Sequence, residues 1–324
     1  MKPIFSIIAN SQDITQKLQR NLVSIEVTDV MSPNSDSVRI TLADVEAKLG
    51  VINVGMELEV SMGYEEGEGR KRLYRVGRFV LDEIGVSGPP TQVTLVGRST
   101  NFIDTLKNYR NQSFDNTTLG EIARSIITSN GFTARIAPEI DQIQIEHIDQ
   151  ADESDLHFLS RLAQTYDALL KPSIREVILA PADAGETASG AQIESKPIHV
   201  SQLSRWSLEL PKRTDYGCVK AYWRSDEQGE RQVEMLGDES ETCKVLKSTF
   251  LTQKEAKAAI NSEKQRLDRE LRNIHFTLPG DPELFAERPI RISGVHPLAD
   301  GDFICKRVTH TLSSSGFVTS VKAQ

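Results

Sequence analysis

The stretch 147-HIDQADESDLHFLSRLAQTYDALLKP-172 decides how this chain is read. Four carboxylates, Asp149, Asp152, Glu153 and Asp155, crowd its first third. Behind them Leu156, Leu159, Leu162, Ala163 and Tyr166 recur at helical spacing, which makes one face of a helix apolar. Carboxylates at a helix start face unpaired N–H groups and the positive end of the dipole. The acidic residues therefore read as a capping turn. Pro172 has no amide hydrogen to give and reads as the stop. Just upstream, Ile143, Ile145 and His147 have the spacing of a short strand.

Toward the N-terminus the period changes to two. Leu22, Ile25 and Val27 lie in one such run, Val38, Ile40 and Leu42 in the next, and Met56, Leu58, Val60 and Met62 in a third. YRVGRFVLDEIGV and TQVTLVGRS add two more. Turn residues punctuate them at Ser32-Pro33-Asn34, Gly63–Gly69 and Gly88-Pro89-Pro90. Residues 1–100 thus predict an antiparallel barrel or sandwich. Ile4 to Ala9 reads as a strand rather than a signal peptide, because Asn10, Gln12 and Asp13 follow at once with no small-residue cleavage site.

Residues 101–205 read as an α+β part. Thr118-Leu-Gly-Glu121 is a capping box ahead of Ile122, Ala123, Ile126 and Ile127, and Gly131 fits the left-handed position that ends such a helix. The tract 181–192 reads as a loop that orders only on assembly. Residues 206–324 return to strands (WSLEL, CVKAYWRS, QVEML, PIRISGV, DFICKRVTHTL, FVTSVKA). A second capping box, Thr252 to Glu255, opens a helix over 252–273. Arg266 with Glu270 and Asp268 with Arg272 are spaced to pair along it. The expected fold class is mostly β with α+β parts.

The 324 residues carry 38% hydrophobic and 26% charged side chains, enough for a sizeable core in two or three domains. No apolar run reaches the roughly 18 residues that span a bilayer. A net charge of −8 argues against a broad nucleic-acid-binding face. Cys218, Cys243 and Cys305 form no C-x-x-C pair, so neither a disulfide framework nor a zinc site is supported, and they read as buried thiols.

Candidate chemistry is thin. Gly63 to Arg72 lacks the G-K-[ST] ending of a phosphate loop and reads as a hairpin tip. The spacing of Asp149, Asp152, Glu153 and Asp155 is not that of a calcium loop. His147, His157, His199, His275, His296 and His310 show no metal-ligand spacing. Ser313-Ser314-Ser315 reads as a turn, with no nucleophile elbow anywhere in the chain. Trp206, Tyr222 and Trp223 read as packing residues, with a binding platform as the alternative. No catalytic residue, cofactor site or metal site is assigned.

The motif Q-x-x-E-S-D-x-x-F-L-x-R-L, carried here by Gln150, Glu153, Ser154, Asp155, Phe158, Leu159, Arg161 and Leu162, resembles the central segment of the phage late control gene D proteins. These are baseplate hubs of contractile tails, related to the hub part of the type VI secretion spike. The resemblance extends to I-T-x-x-L-x-x-x-L-x-S-I-x-V-x-D (Ile14 to Asp29), to Ser35–Asp44, to Thr118–Gly131 and to Arg288–Phe317. It therefore spans nearly the whole chain.

The resemblance implies two tail-tube-like β-barrels, at 1–100 and at 206–324 with an embedded helix at 252–273, around an α+β middle at 101–205. It implies a homotrimer forming a pseudo-hexameric ring that adapts the sixfold tail tube to a threefold central spike, beside other baseplate proteins. DNA would pass through without specific binding. The protein would be made in the bacterial cytoplasm and reside in the virion tail, with no stable membrane insertion and no enzymatic activity. The chain stops just after the hub strands, so any needle is expected to be a separate polypeptide, and no lysozyme-like domain is expected. The alternatives are a hub that moves protein rather than DNA, and a tail-tip cell-wall hydrolase.

Overall fold

The structure is a computed structural model. It describes residues 1–31, 35–43, 53–99, 106–172, 175–182, 193–210, 216–224, 230–238, 242–269 and 272–324. The turn expected at Ser32-Pro33-Asn34, most of the 181–192 loop and Glu270 lie outside these residues.

The N-terminal part folds as β1 (Lys2–Ala9), β2 (Gln12–Asp13), α1 (Thr15–Gln19), β3 (Leu22–Val30), β4 (Ser37–Ala43), β5 (Glu57–Glu66), β6 (Arg70–Ser87) and β7 (Gln92–Arg98). The middle follows as β8 (Tyr109–Thr118), α2 (Leu119–Ser129), β9 (Thr133–Ile136), α3 (Pro138–Asp141), β10 (Gln144–Ser154), α4 (Asp155–Thr165), β11 (Ala168–Pro172) and β12 (Glu176–Pro181). The remainder is β13 (Lys196–His199), β14 (Arg205–Glu209), β15 (Cys218–Arg224), β16 (Arg231–Gly237), β17 (Cys243–Phe250), α5 (Gln253–Arg269), β18 (Asn273–Pro279), β19 (Pro289–Ser293), β20 (Gly301–Ser313) and β21 (Gly316–Ala323).

The period-two runs became strands because alternate residues face one interior. On β4, Val38, Ile40 and Leu42 are buried while Arg39 is exposed. Among the described residues, 13 strands join into one sheet, ordered β14-β18-β21-β20-β3-β4-β7-β6-β5-β1-β2, with β19 paired to β20 and β13 to β19. The two ends of the chain therefore share a sheet. The seam is β3 against β20, antiparallel, with Ile25 opposite Leu312 and Val27 opposite His310.

The sheet encloses two apolar clusters. The first gathers Ile7, Ile25, Ile40, Leu58, Met62 and Phe79. The second gathers Ile274, Phe276, Ile292, Phe303, Val308 and Val321. The β20–β21 hairpin stitches them together: its tip gives Leu312 and Phe317 to the first, and its base gives Phe303, Cys305 and Val321 to the second. Gly63 to Arg72 is a hairpin connection, as read from the sequence, with a short 3-10 turn at Gly67–Gly69.

The middle part has its own cluster, built from α2, α4, the β8–β10 ribbon and the three-stranded sheet β11-β12-β9. The capping box at Thr118 forms in both directions, and Gly131 takes φ +84° past the helix end. Residues 196–199, expected in this middle part, pair in parallel with β19 and so extend the large sheet.

The last helix does not sit within the second lobe of the large sheet. It lies on one face of a separate sheet, β16-β15-β17, where Val219, Ala221, Ala256, Ile260 and Leu267 pack together. Its described part runs to Arg269, and Asn273 starts β18. Asp268 pairs with Lys264 rather than Arg272, whose guanidinium reaches the Leu298 and Asp300 carbonyls (2.8 and 3.0 Å). The cysteine reading is corrected as well. Cys218 and Cys243 face each other on parallel strands, Cα atoms 4.4 Å apart, and are disulfide-bonded, while Cys305 is a buried thiol.

Candidate functional site

The segment 147–172 folds differently from a simple capped helix. Its acidic residues are not a turn. Asp149, Asp152 and Glu153 lie on β10, which bulges against β8 between Gln150 and Glu153. Asp152 takes φ +49° there, and its N–H donates to Asn111 Oδ1 (2.6 Å). The cap is Ser154, whose hydroxyl accepts from the His157 N–H (3.2 Å). The helix ends at Thr165, seven residues before Pro172, which instead closes strand β11.

Around this start the structure brings together Glu153, Ser154, Asp155, Phe158, Leu159, Arg161 and Leu162, with Gln150 beside them. Asp155 is fully buried. Its carboxylate accepts from Gln150 Nε2 (2.9 Å) and Asn130 Nδ2 (2.8 Å) and pairs with Arg110 Nε (3.1 Å). A buried carboxylate is tolerated when its lone pairs are met in this way. Gln150, also buried, links the cap to the ribbon by donating to the Glu153 carbonyl (3.0 Å) and accepting from Gln112 (2.6 Å).

Glu153 binds Arg161 and the His157 imidazole. Burial pushes its carboxyl up, but those two partners outweigh burial and hold it below the usual range. Arg161 also donates to the Asp149 carbonyl (2.8 Å) and lies over the Phe158 ring (5.0 Å). Phe158 stacks on Phe114 of β8, centroids 5.8 Å apart, and Leu159 and Leu162 complete the packed face. The arrangement locks helix, bulge and ribbon into one unit. It presents no nucleophile–base pair.

A second group of charges joins the parts. Lys171, on β11, places its ammonium 2.9 Å from Asp29 of β3 and 3.3 Å from Glu287, which precedes β19. Asp29 also accepts from the Ala286 N–H (3.0 Å), and Asp36 accepts from the Val30 N–H (3.0 Å). One ammonium thus faces three carboxyl groups.

Burial, with Asp29 adding repulsion, pushes the Asp36 carboxyl up to about 7. Burial also pushes Glu287 up to about 7, against the pull of Lys171. For Lys171, burial lowers the ammonium pKa, but Asp29, Glu287 and Asp36 together raise it. The Cys305 thiol, in the same neighbourhood, is pushed up to about 12 by burial. Sequence reading missed this group because its members lie far apart in the chain.

Two grooves flank α5. One, of about 460 Å³, lies between α4, β11, α5 and the large sheet. Its carboxylates are occupied: Asp167 is clasped by Arg269 through both oxygens, and Glu263 by Arg266 and Lys244. The other, of about 420 Å³, includes Asp149 and Glu255. Burial raises the Glu255 carboxyl, yet its oxygen accepts from the Leu251 N–H (3.2 Å) and so caps α5. Among the described residues no group of three or more His, Cys, Asp or Glu is placed to hold a metal ion, and no helix is long and apolar enough to cross a membrane.

Residues 35–316 match the family model described as phage tail baseplate hub (GPD), so the chain belongs to that family. It is 27% identical to the probable baseplate hub protein of Escherichia phage P2, covering 100% of this chain and 93% of that protein. In fold it resembles the 43 kDa tail protein of prophage MuSo2 from Shewanella oneidensis (TM-score 0.74, 15% identity, 100% and 98% of the two chains). It also resembles an E. coli component of the type VI secretion system (TM-score 0.54, 12% identity, 94% and 73%).

Proposed function

We propose that three copies of this chain form a ring in a phage tail baseplate, between a sixfold tail tube and a threefold central spike. The observation that carries the reading is the β3–β20 seam. It fuses two apolar lobes, one from each end of the chain, into a single sheet. Three such chains supply six lobes, the number needed to meet a sixfold tube, while keeping threefold symmetry toward a spike. The lobes at 1–100 and 206–324 take the tube-like positions. The middle at 101–205, with the side sheet inserted between β14 and β18, braces them.

The role is structural rather than enzymatic. A cell-wall hydrolase needs a carboxyl free to act as acid beside a second carboxylate. Of the groove carboxylates, Asp167 and Glu263 are bound to arginines, Glu255 to a helix start and Asp149 to His147. Three copies at −8 each make a strongly acidic assembly. Carboxylates lining its channel would repel DNA and let it slide past.

Sedimentation or light scattering of the purified protein, alone and with its spike, tests the reading. A species of three times the 36.1 kDa chain mass is expected in at least one of the two. A monomer in both would overturn it.

A further inference from the structure

The β16-β15-β17 sheet has two faces of opposite character. α5 covers one, where Val219, Ala221 and Trp223 point. The other is open. Strand register places Met235 and Val245 on either side of Lys220, and Val233 and Thr249 on either side of Tyr222. Paired residues share a face, so these form two cross-strand rows. Val233, Met235 and Val245 are 52%, 41% and 48% exposed. Single exposed apolar residues are ordinary on a protein surface, but a contiguous set on one sheet face marks a contact site.

The charges on that face are of one sign. On β15 and β16, Lys220, Arg224 and Arg231 are its ionisable groups apart from the Tyr222 phenol. Among the described residues no carboxylate shares the face, although the chain as a whole carries −8. Arg224 lies directly opposite Arg231 in the register. Like charges in that position destabilise a strand pair. The Arg231 guanidinium carbon lies over the Tyr222 ring, 3.6 Å from its centroid, which sets the guanidinium beside the apolar rows. Among the described residues neither guanidinium has a carboxylate partner. Asp226 and Glu227, in the connection between the strands, lie outside them.

We propose that this open face docks a protein partner whose surface presents carboxylates around an apolar centre. The apolar rows supply the desolvated middle of a contact, and the guanidiniums supply bidentate carboxylate recognition at its edge. The opposed arginines are relieved when an anion sits between them. Both outer strands pair on one side only among the described residues, so an extended acidic segment also finds backbone groups to bond. The assignment stands on this sheet alone and does not depend on the ring.

The test uses the full chain and a short labelled peptide alternating Glu with Val. A peptide with Lys in place of Glu and a single-stranded DNA oligonucleotide serve as comparisons. The acidic peptide binds and the basic one does not, and added salt weakens the binding. Arg224→Glu with Arg231→Glu lowers affinity at least tenfold, and Val233→Ser with Met235→Ser also lowers it. If the charge reversal lowers the melting temperature, Arg224→Gln with Arg231→Gln gives the same reading more gently.

Three results would overturn the proposal. One is unchanged peptide affinity in the arginine variants. Another is DNA binding as tight as peptide binding and indifferent to Val233→Ser and Met235→Ser, which makes the face a phosphate site. The third is a change in oligomeric mass in these variants, which makes it a contact between copies.

Discussion

Asp155 and Lys171 are both charged groups taken out of water, and their surroundings are opposites. Asp155 is one carboxylate met by Gln150, Asn130 and Arg110. Lys171 is one cation facing Asp29, Glu287 and Asp36, so the acids are in surplus. The first is a closed account of hydrogen bonds inside one folding unit. The second lies where the middle part meets both lobes of the large sheet. The joint, where acids outnumber the cation, is therefore the region that responds to protons near neutral pH.

The sign of that response follows from the carboxyl groups. Asp36 and Glu287 titrate near 7 when folded, above their ordinary values. The folded chain therefore binds more protons than the unfolded chain between about pH 4 and 7. Their contribution is fully present at low pH and is lost as pH rises through 7. Glu153 in the signature network runs the other way. Its carboxyl is held low, so its contribution is present above the usual value and lost as pH falls.

The largest effects come from removing either central charge. Asp155→Ala leaves Arg110, Asn130 and Gln150 without their acceptor, and denaturant unfolding should show a loss of about 3–5 kcal/mol. Lys171→Met should cost a similar amount, about 3–5 kcal/mol, at pH 8 and much less at pH 5, where Asp36 and Glu287 are protonated. Equal cost at both pH values would erase the contrast between the two regions.

Smaller changes sharpen it. Glu287→Gln or Asp36→Asn should stabilise the chain at pH 8 by on the order of 1 kcal/mol and flatten its melting temperature between pH 5 and 8, because each removes a surplus buried charge. Calorimetry across that range checks it, and destabilisation at pH 8 would show that the acids are needed ionised. Ser154→Ala should cost about 1 kcal/mol at every pH, the usual value of a helix cap, since no titrating group is touched. A strongly pH-dependent cost would mean the cap acts through Glu153 or His157.

Much of this was legible in the sequence, for identifiable reasons. The runs at Val38–Leu42 and Met56–Met62 alternate cleanly, and Thr118 with Glu121 has the spacing of a capping box. The eight residues of the signature motif lie within 13 positions of one another in the sequence and meet in space. What could not be read was non-local. Strand β8 (YRNQSFDNTT) is too polar to alternate and becomes a strand only because β10 lies beside it. The seam between β3 and β20 joins residues some 280 positions apart, as Thr28 to Thr309 shows (|i−j| = 281). The Cys218–Cys243 bond follows from parallel pairing that no spacing rule announces. Pro172 was misread because it also closes strands well, and here the turn at Tyr166 and Asp167 had already ended the helix.

Negative-stain imaging of the purified protein, alone and with its spike, distinguishes a ring from single copies. Rings of threefold symmetry with six similar inner lobes around an open channel are expected in at least one of the two. Compact single copies under both conditions would contradict the proposed ring.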